Sequence, residues 1–145
     1  MNERGQVAGA EVLLLGVLVF IVGTLLAVNV WAVVDAKLAV TAASREAART
    51  LAETVGRSDA AALAQDAAGR AMAAHGRTLS TPIEIVAVDG ELRRCARFTV
   101  SVEHDVPAVR VPFLTNLGTR HVKSTHGEIV DPYRSGSPGA VDCAD

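Results

Sequence analysis

The uncharged run from Val12 to Val34, VLLLGVLVFIVGTLLAVNVWAVV, constrains this chain more than any other feature. Thr24 and Asn29 are its only clearly polar members. About 20 apolar residues cross a bilayer core as an α-helix, so the run predicts a membrane-anchored chain rather than a soluble protein with a buried helix. Glu11 stands at the lip of this run. A carboxylate there is costly unless it lies at the interface or is paired. Two readings stay open: an interfacial glutamate in water, or a carboxylate paired with a cation of a neighbouring subunit, most simply a free N-terminal amine.

A cleaved secretory signal is the competing explanation, and Val30-Trp31-Ala32 could pass as its cleavage site. Against it, the run is too long for the 7–15 apolar residues of a signal core. The head carries only Arg4 and the terminal amine against Glu3 and Glu11, and the helical pattern continues past the candidate cut. A retained anchor is the expectation. Charge counting weighs Arg4 and the amine against Lys37, Arg45 and Arg49 and does not fix the orientation. Short N-terminal tails before large domains commonly stay inside. Two cysteines beyond the run also fit an exported C-terminal part, so the expected topology is N-terminus cytoplasmic and C-terminal domain extracytoplasmic.

Beyond the run, Ala36, Val40, Ala43, Ala47, Leu51 and Val55 recur at spacings of three and four, which is one face of a helix. One continuous helix is predicted over 8–55, roughly 70 Å long at 1.5 Å per residue, with Gly56 as its stop. Ser58 or Asp59 caps a second, Ala-rich helix to His75, ended by Gly76, with a weak apolar face of Leu63, Ala67, Ala71 and Ala74. From Pro82 the pattern changes to period two. Residues 83–88 read as a strand, Asp89-Gly90 as a turn, and Phe98, Val100 and Val102 as the inward face of a second strand. Val106 to Pro112, with two prolines, reads as an edge or loop, and 120–130 as a weaker third strand.

The predicted fold class is therefore α+β: a long N-terminal helix, half transmembrane and half amphipathic, then a short helix and a small antiparallel β-sheet. It divides into a head (1–11), a transmembrane helix (12–34), a helical stalk region (35–76), a β domain (77–131) and a flexible tail (132–145). Aromatics make up 3% of the residues, and only Phe98, Phe113 and Tyr133 follow the membrane run. A core of Ala and Val buries little area per residue. The β domain therefore needs the extended helix, a disulfide or neighbouring subunits. Cys95 and Cys143 are the candidate disulfide pair.

Gly9, Gly16 and Gly23 fall seven apart, on one helix face that drifts by about 20° per step, and small residues let helices approach closely in lipid. Net charge is −2 with no basic tract, so nucleic acid is not an expected partner. His75, His104, His121 and His126 lack the spacing that would face a metal on a helix, and His121 and His126 fall on opposite faces of a strand. Neither a nucleophile elbow nor a phosphate-binding glycine motif occurs. No metal, cofactor or enzymatic activity is expected.

Several segments together resemble TadE-like minor pilins, pseudopilin-type subunits of the tight-adherence branch of type IV pilus systems. They are Arg4-Gly5 in a short head, Glu11 at the membrane lip, the apolar run, and Ala42-Ala43-Ser44-Arg45-Glu46-Ala47-Ala48-Arg49. The segment from His126 to Arg134, HGEIVDPYR, is similar to the end of actinobacterial members. The resemblance covers nearly the whole chain in layout, with a recognisable motif in the first 50 residues. It implies a subunit stored in the membrane, a prepilin peptidase that cuts after Gly5 and leaves Gln6 as the new terminus, and other pilin subunits and the assembly platform as partners. Glu11 would then neutralise the amine of an adjacent subunit. The family pattern places this glutamate fifth after the cut; here it is sixth after Gly5, and Val12 replaces the frequent aromatic. The alternative function is a single-pass membrane module whose β domain binds a ligand or partner.

Overall fold

The structure, a computed structural model, describes residues 4–88, 90–109, 117–133, 135–139 and 143, with side chains described for Gly9 and from Glu11 onward. Among these residues five elements follow one another: α1 (Arg4–Thr54), α2 (Ala60–Ala74), β1 (Glu84–Ala87), β2 (Arg97–Val109) and β3 (Leu117–Ile129). The strands form one antiparallel sheet in the order β1-β2-β3. The fold is α+β.

α1 is a single 51-residue helix. It begins at Arg4 rather than at residue 8, since nothing between the head and the apolar run breaks the pattern. Its second half supplies one wall of the core. Ala36, Val40, Ala43, Ala47, Leu51 and Val55 are all buried, as their spacing predicts. Ala39, Ser44 and Ala48 are buried as well and widen the stripe on a face of mostly small residues. Two layers share that face: α2 packs on one side of it and the sheet on the other. The helix stops at Gly56, which adopts φ +94°, and a Cβ there would stand 2.6 Å from the Gly136 carbonyl oxygen. Both the left-handed backbone and the close approach exclude a side chain.

α2 buries Ala60, Ala64, Ala67, Ala68 and Met72. Of the four residues expected on its apolar face, only Ala67 is among them. An Ala-rich helix carries little hydrophobic contrast, so packing against α1 selects the face, and Met72 is its largest buried side chain. Asp59 makes no side-chain cap; its carboxylate is held by the Arg57 guanidinium at 2.8 and 2.7 Å. The C-terminus closes as the sequence predicts. Gly76 (φ +66°) donates to the Ala73 carbonyl at 2.9 Å and Arg77 donates to that of Met72 at 3.1 Å. That pair of bonds is a Schellman motif, and it aims the Arg77 side chain back at α1.

In β2 the alternation holds: Phe98, Val100, Val102 and Val106 are buried against the helices. Of the edge and loop readings from Val106 onward, the structure shows the edge strand as far as Val109, with Pro107 opposite Thr119 and Val109 opposite Leu117. The reason is the shortness of β1. It reaches only Ser101 of β2, so the later half of β2 has a strand neighbour on one side alone, a position that tolerates a residue without an N–H. Residues 110–116, Pro112 and Phe113 among them, lie outside the described residues, as does Asp89.

The expected flexible tail is tied down where it is described. Arg94 donates its backbone N–H to the Pro138 carbonyl at 2.8 Å, Ser137 is buried, and Gly136 lies against Gly56. A polar sequence rich in Gly, Ser and Pro carries no sign of this docking except Cys143. Among the described residues Phe98 is the largest fully buried side chain. Phe98→Ala is expected to lower stability by about 3–5 kcal/mol, read as a fall in the urea midpoint at constant slope for the full chain in detergent micelles.

Candidate functional site

α1 is long and apolar enough to cross a membrane. From Val12 to Val34 its large apolar side chains are exposed except Leu25 and Val33. Those two, with Asn29 between them, are half-buried and continue the stripe that becomes Ala36 and Val40. Gly16 and Gly23 lie roughly 120–140° around the helix from that stripe at 100° per residue. A Cβ at Gly9, Gly16 or Gly23 would meet nothing within 4 Å. The glycine face is therefore open, and Gly23 lies five turns before Thr41, in line with the side of α1 that β3 covers further along. Glu11 is exposed and lies about five turns before Asn29, in line with the stripe that becomes buried further along α1. Arg4, Gly5 and Gln6 are helical in backbone; their side chains lie outside the described residues.

Where the apolar run ends, three elements converge on a cavity of about 350 Å³: α1 with Asn29, Ala32 and Asp35, the end of α2 with His75 and Arg77, and β2 with Val106 and Pro107. The Arg77 guanidinium reaches Asp35 Oδ2 at 2.8 and 3.2 Å and the Ala32 carbonyl at 3.3 Å. Arg77 is only 19% exposed, so a charge-assisted pair clamps α2 to α1 at the foot of the domain. The two residues are 42 apart in sequence. The only sign of the pair in the sequence is Asp35, the first charge after the apolar run.

A polar seam joins α1 to β3. Lys37 donates to the Lys123 carbonyl. Ser124 Oγ lies 3.3 Å from Thr41 Oγ1 and 3.4 Å from Ser44 Oγ, which also donates to the Thr41 carbonyl at 3.1 Å. On the outer face of the sheet the Lys123 ammonium bridges Glu103 and Glu84 at 3.0 and 3.1 Å. Hydrogen bonding to Glu103, then to Glu84, pushes its pKa up. The site is exposed, so the bridge contributes little to stability.

Ser80, His104, Asp105 and His121 line one recess of about 170 Å³. Their hydrogen bonds run in separate pairs: Ser80 Oγ with His104 Nδ1 at 3.1 Å, and Asp105 Oδ1 with His121 Nδ1 at 2.5 Å. His104 and Asp105, as neighbours on β2, face opposite sides of the sheet, so no Ser–His–Asp relay forms. His126 pairs with Glu128 at 3.3 Å. Among the described residues no three His, Cys, Asp or Glu side chains gather to hold a metal. Another groove, of about 440 Å³, lies open on the outer sheet face over Val88, Thr99, Gly127 and Ile129.

Cys95 and Cys143 form a disulfide with Cα atoms 5.4 Å apart. It joins the loop before β2 to the end of the chain and closes a sequence separation of 48 residues. Replacing both cysteines by serine is expected to lower stability by about 2–4 kcal/mol, measured by denaturant unfolding of the full chain in micelles.

No protein-family model matches the chain, and no curated protein or solved structure matches it either.

Burial, followed by the nearby Arg77 charge, holds the His104 imidazole below its ordinary pKa, with Asp105 opposing. The unfolded chain therefore binds a proton that the fold resists, and stability falls as pH drops through about 6.5 towards the lowered value. His104→Gln is expected to flatten the loss of melting temperature over that window, measured by thermal circular dichroism from pH 7.5 to 5.

Proposed function

We propose that this chain is a membrane-anchored, TadE-like minor pilin or pseudopilin, a structural subunit that assists assembly of tight-adherence pili or a related secretion apparatus. One observation carries the reading: a single unbroken helix is bare and apolar over its first half and forms the core wall of a small α+β domain over its second. Such a helix has an unsatisfied apolar surface far larger than a monomer in water tolerates. Lipid covers it in a stored subunit, and neighbouring helices cover it in an assembly. The N-terminus is then cytoplasmic and the domain extracytoplasmic, where a disulfide persists.

The open face of Gly9, Gly16 and Gly23 supports close helix packing. Glu11 acts as the partner of a neighbour's amine, and the partners are other pilin subunits, the assembly platform and a prepilin peptidase acting after Gly5. The role is non-enzymatic. The alternative, a ligand-binding β domain on a single anchor, draws less support, because the groove over Gly127 is an open face with few converging polar groups.

Two measurements test the proposal. Intact mass of the protein from its native membrane is expected to lack residues 1–5; a loss ending near Ala32 would mean a secreted protein and end the anchored-subunit reading. Glu11→Gln is expected to leave membrane insertion unchanged and to reduce co-assembly with other pilins about tenfold by quantitative pull-down; unchanged co-assembly removes the pairing role.

A further inference from the structure

We propose that the cavity where α1, α2 and β2 meet binds a small zwitterion of the phosphoethanolamine type, an oxyanion and a primary ammonium on a short linker. The site is additional to the subunit role above.

The Asp35–Arg77 pair clamps α2 to α1 but spends only part of its bonding capacity. A guanidinium carries five N–H donors. Arg77 turns Nε and Nη2 on Asp35 Oδ2, and Nη2 also meets the Ala32 carbonyl. The N–H groups of Nη1 donate to nothing among the described residues, and Asp35 Oδ1 accepts nothing there. Both side chains line the cavity of about 350 Å³, and the pair is not sealed, since Asp35 is 39% exposed. One donor edge and one carboxylate oxygen therefore stay available side by side.

Their opposite charges select the ligand. An oxyanion alone gains Arg77 but is repelled by Asp35, and a cation alone meets the reverse. A ligand carrying both charges sets each against its opposite, at charge-assisted hydrogen-bond strength. His75 adds an imidazole N–H for the oxyanion, at the wall formed by the end of α2. That helix end is also the negative pole of its dipole, which favours the ammonium. A primary ammonium fits better than a quaternary one. Quaternary groups are held by aromatic faces, and among the described residues no aromatic lines the cavity. Ala32, Val106 and Pro107 give an apolar wall for the linker carbons. Two sources present this chemistry. Asn29 and Ala32 belong to the apolar run and Asp35 is the first charge beyond it. With α1 anchored, the cavity stands within reach of phosphatidylethanolamine headgroups and of free zwitterions in the water above them.

The test uses the full-length, isotope-labelled chain in maltoside micelles. The Gly76 amide and the Arg77 Nε–H are followed in proton–nitrogen correlation spectra as O-phosphoethanolamine, phosphocholine, ethanolamine or inorganic phosphate is added. Phosphatidylethanolamine and phosphatidylcholine of equal chain length are titrated into the micelles separately. The expected result is a saturable shift with phosphoethanolamine, free or lipid-borne, about tenfold tighter than with its choline counterpart, the size of one charge-assisted contact. A shift with the lipid alone assigns a membrane source, and a shift with the free compound at equal or lower concentration assigns a water-borne one. No such preference in either form overturns the site. Tighter binding of inorganic phosphate than of phosphoethanolamine overturns the zwitterion. Ala32→Phe fills the cavity without altering either charge and is expected to abolish the shifts at an unchanged melting temperature. Shifts that persist in it overturn the location. Asp35→Asn is expected to make inorganic phosphate and phosphoethanolamine bind alike, and a selectivity kept intact overturns the pairing with the ammonium. If Asp35→Asn does not melt as the parent does, Ala32→Phe decides.

Discussion

Close packing on the small-residue face of α1 is the interaction on which the rest of the fold depends. Ala36, Ala39, Ala43, Ser44, Ala47 and Ala48 are buried there, and their size lets α2 and the sheet reach the same helix segment from two sides. Among the described residues the sheet has three strands and one large buried aromatic, Phe98. Without α1 its inner face would have nothing of comparable area to pack on. The domain is therefore built onto the continuation of the apolar helix, and the two cannot be separated into an anchor and an independent head.

Polar contacts then fix the register of that packing. The hydroxyls of Thr41, Ser44 and Ser124 set β3 against α1, and the Arg77 fork sets α2 at the level of Asp35. Each of these is specific in distance and direction, whereas an Ala–Val interface alone tolerates sliding. The disulfide and the docking of Gly136 on Gly56 hold the opposite end of the domain. Chemistry-bearing residues are present, but they pair off locally, His121 with Asp105 and His126 with Glu128.

Much of this architecture is legible in the sequence because its signals are periodic. The apolar run, the stripe from Ala36 to Val55, the glycine stops at Gly56 and Gly76 and the alternation from Phe98 to Val102 each follow from local geometry. What was hidden depends on contacts between distant segments. The face of α2 is chosen by α1, because alanines on every side of it give no strong moment. Pro107 sits in an edge strand rather than a loop because β1 is too short to pair with it. The tail docks through a cysteine and a buried serine that composition alone reads as polar. Of the candidate site, Glu11 and the glycine stripe are visible as sequence features. The Asp35–Arg77 clamp is not, since neither residue has a motif to mark it.

The unbroken course of α1 has a mechanical meaning. No glycine or proline interrupts it between Thr24 and Thr54, so the domain has no hinge with which to swivel on its stem. Angular position is therefore transmitted along the rod as it is along a keyed shaft. Each residue added to or removed from the stretch between Thr24 and Asp35 would rotate the domain by about 100° relative to the glycine face and shift it by about 1.5 Å along the axis. The phase between the two halves, and not only their composition, is then part of what this sequence encodes.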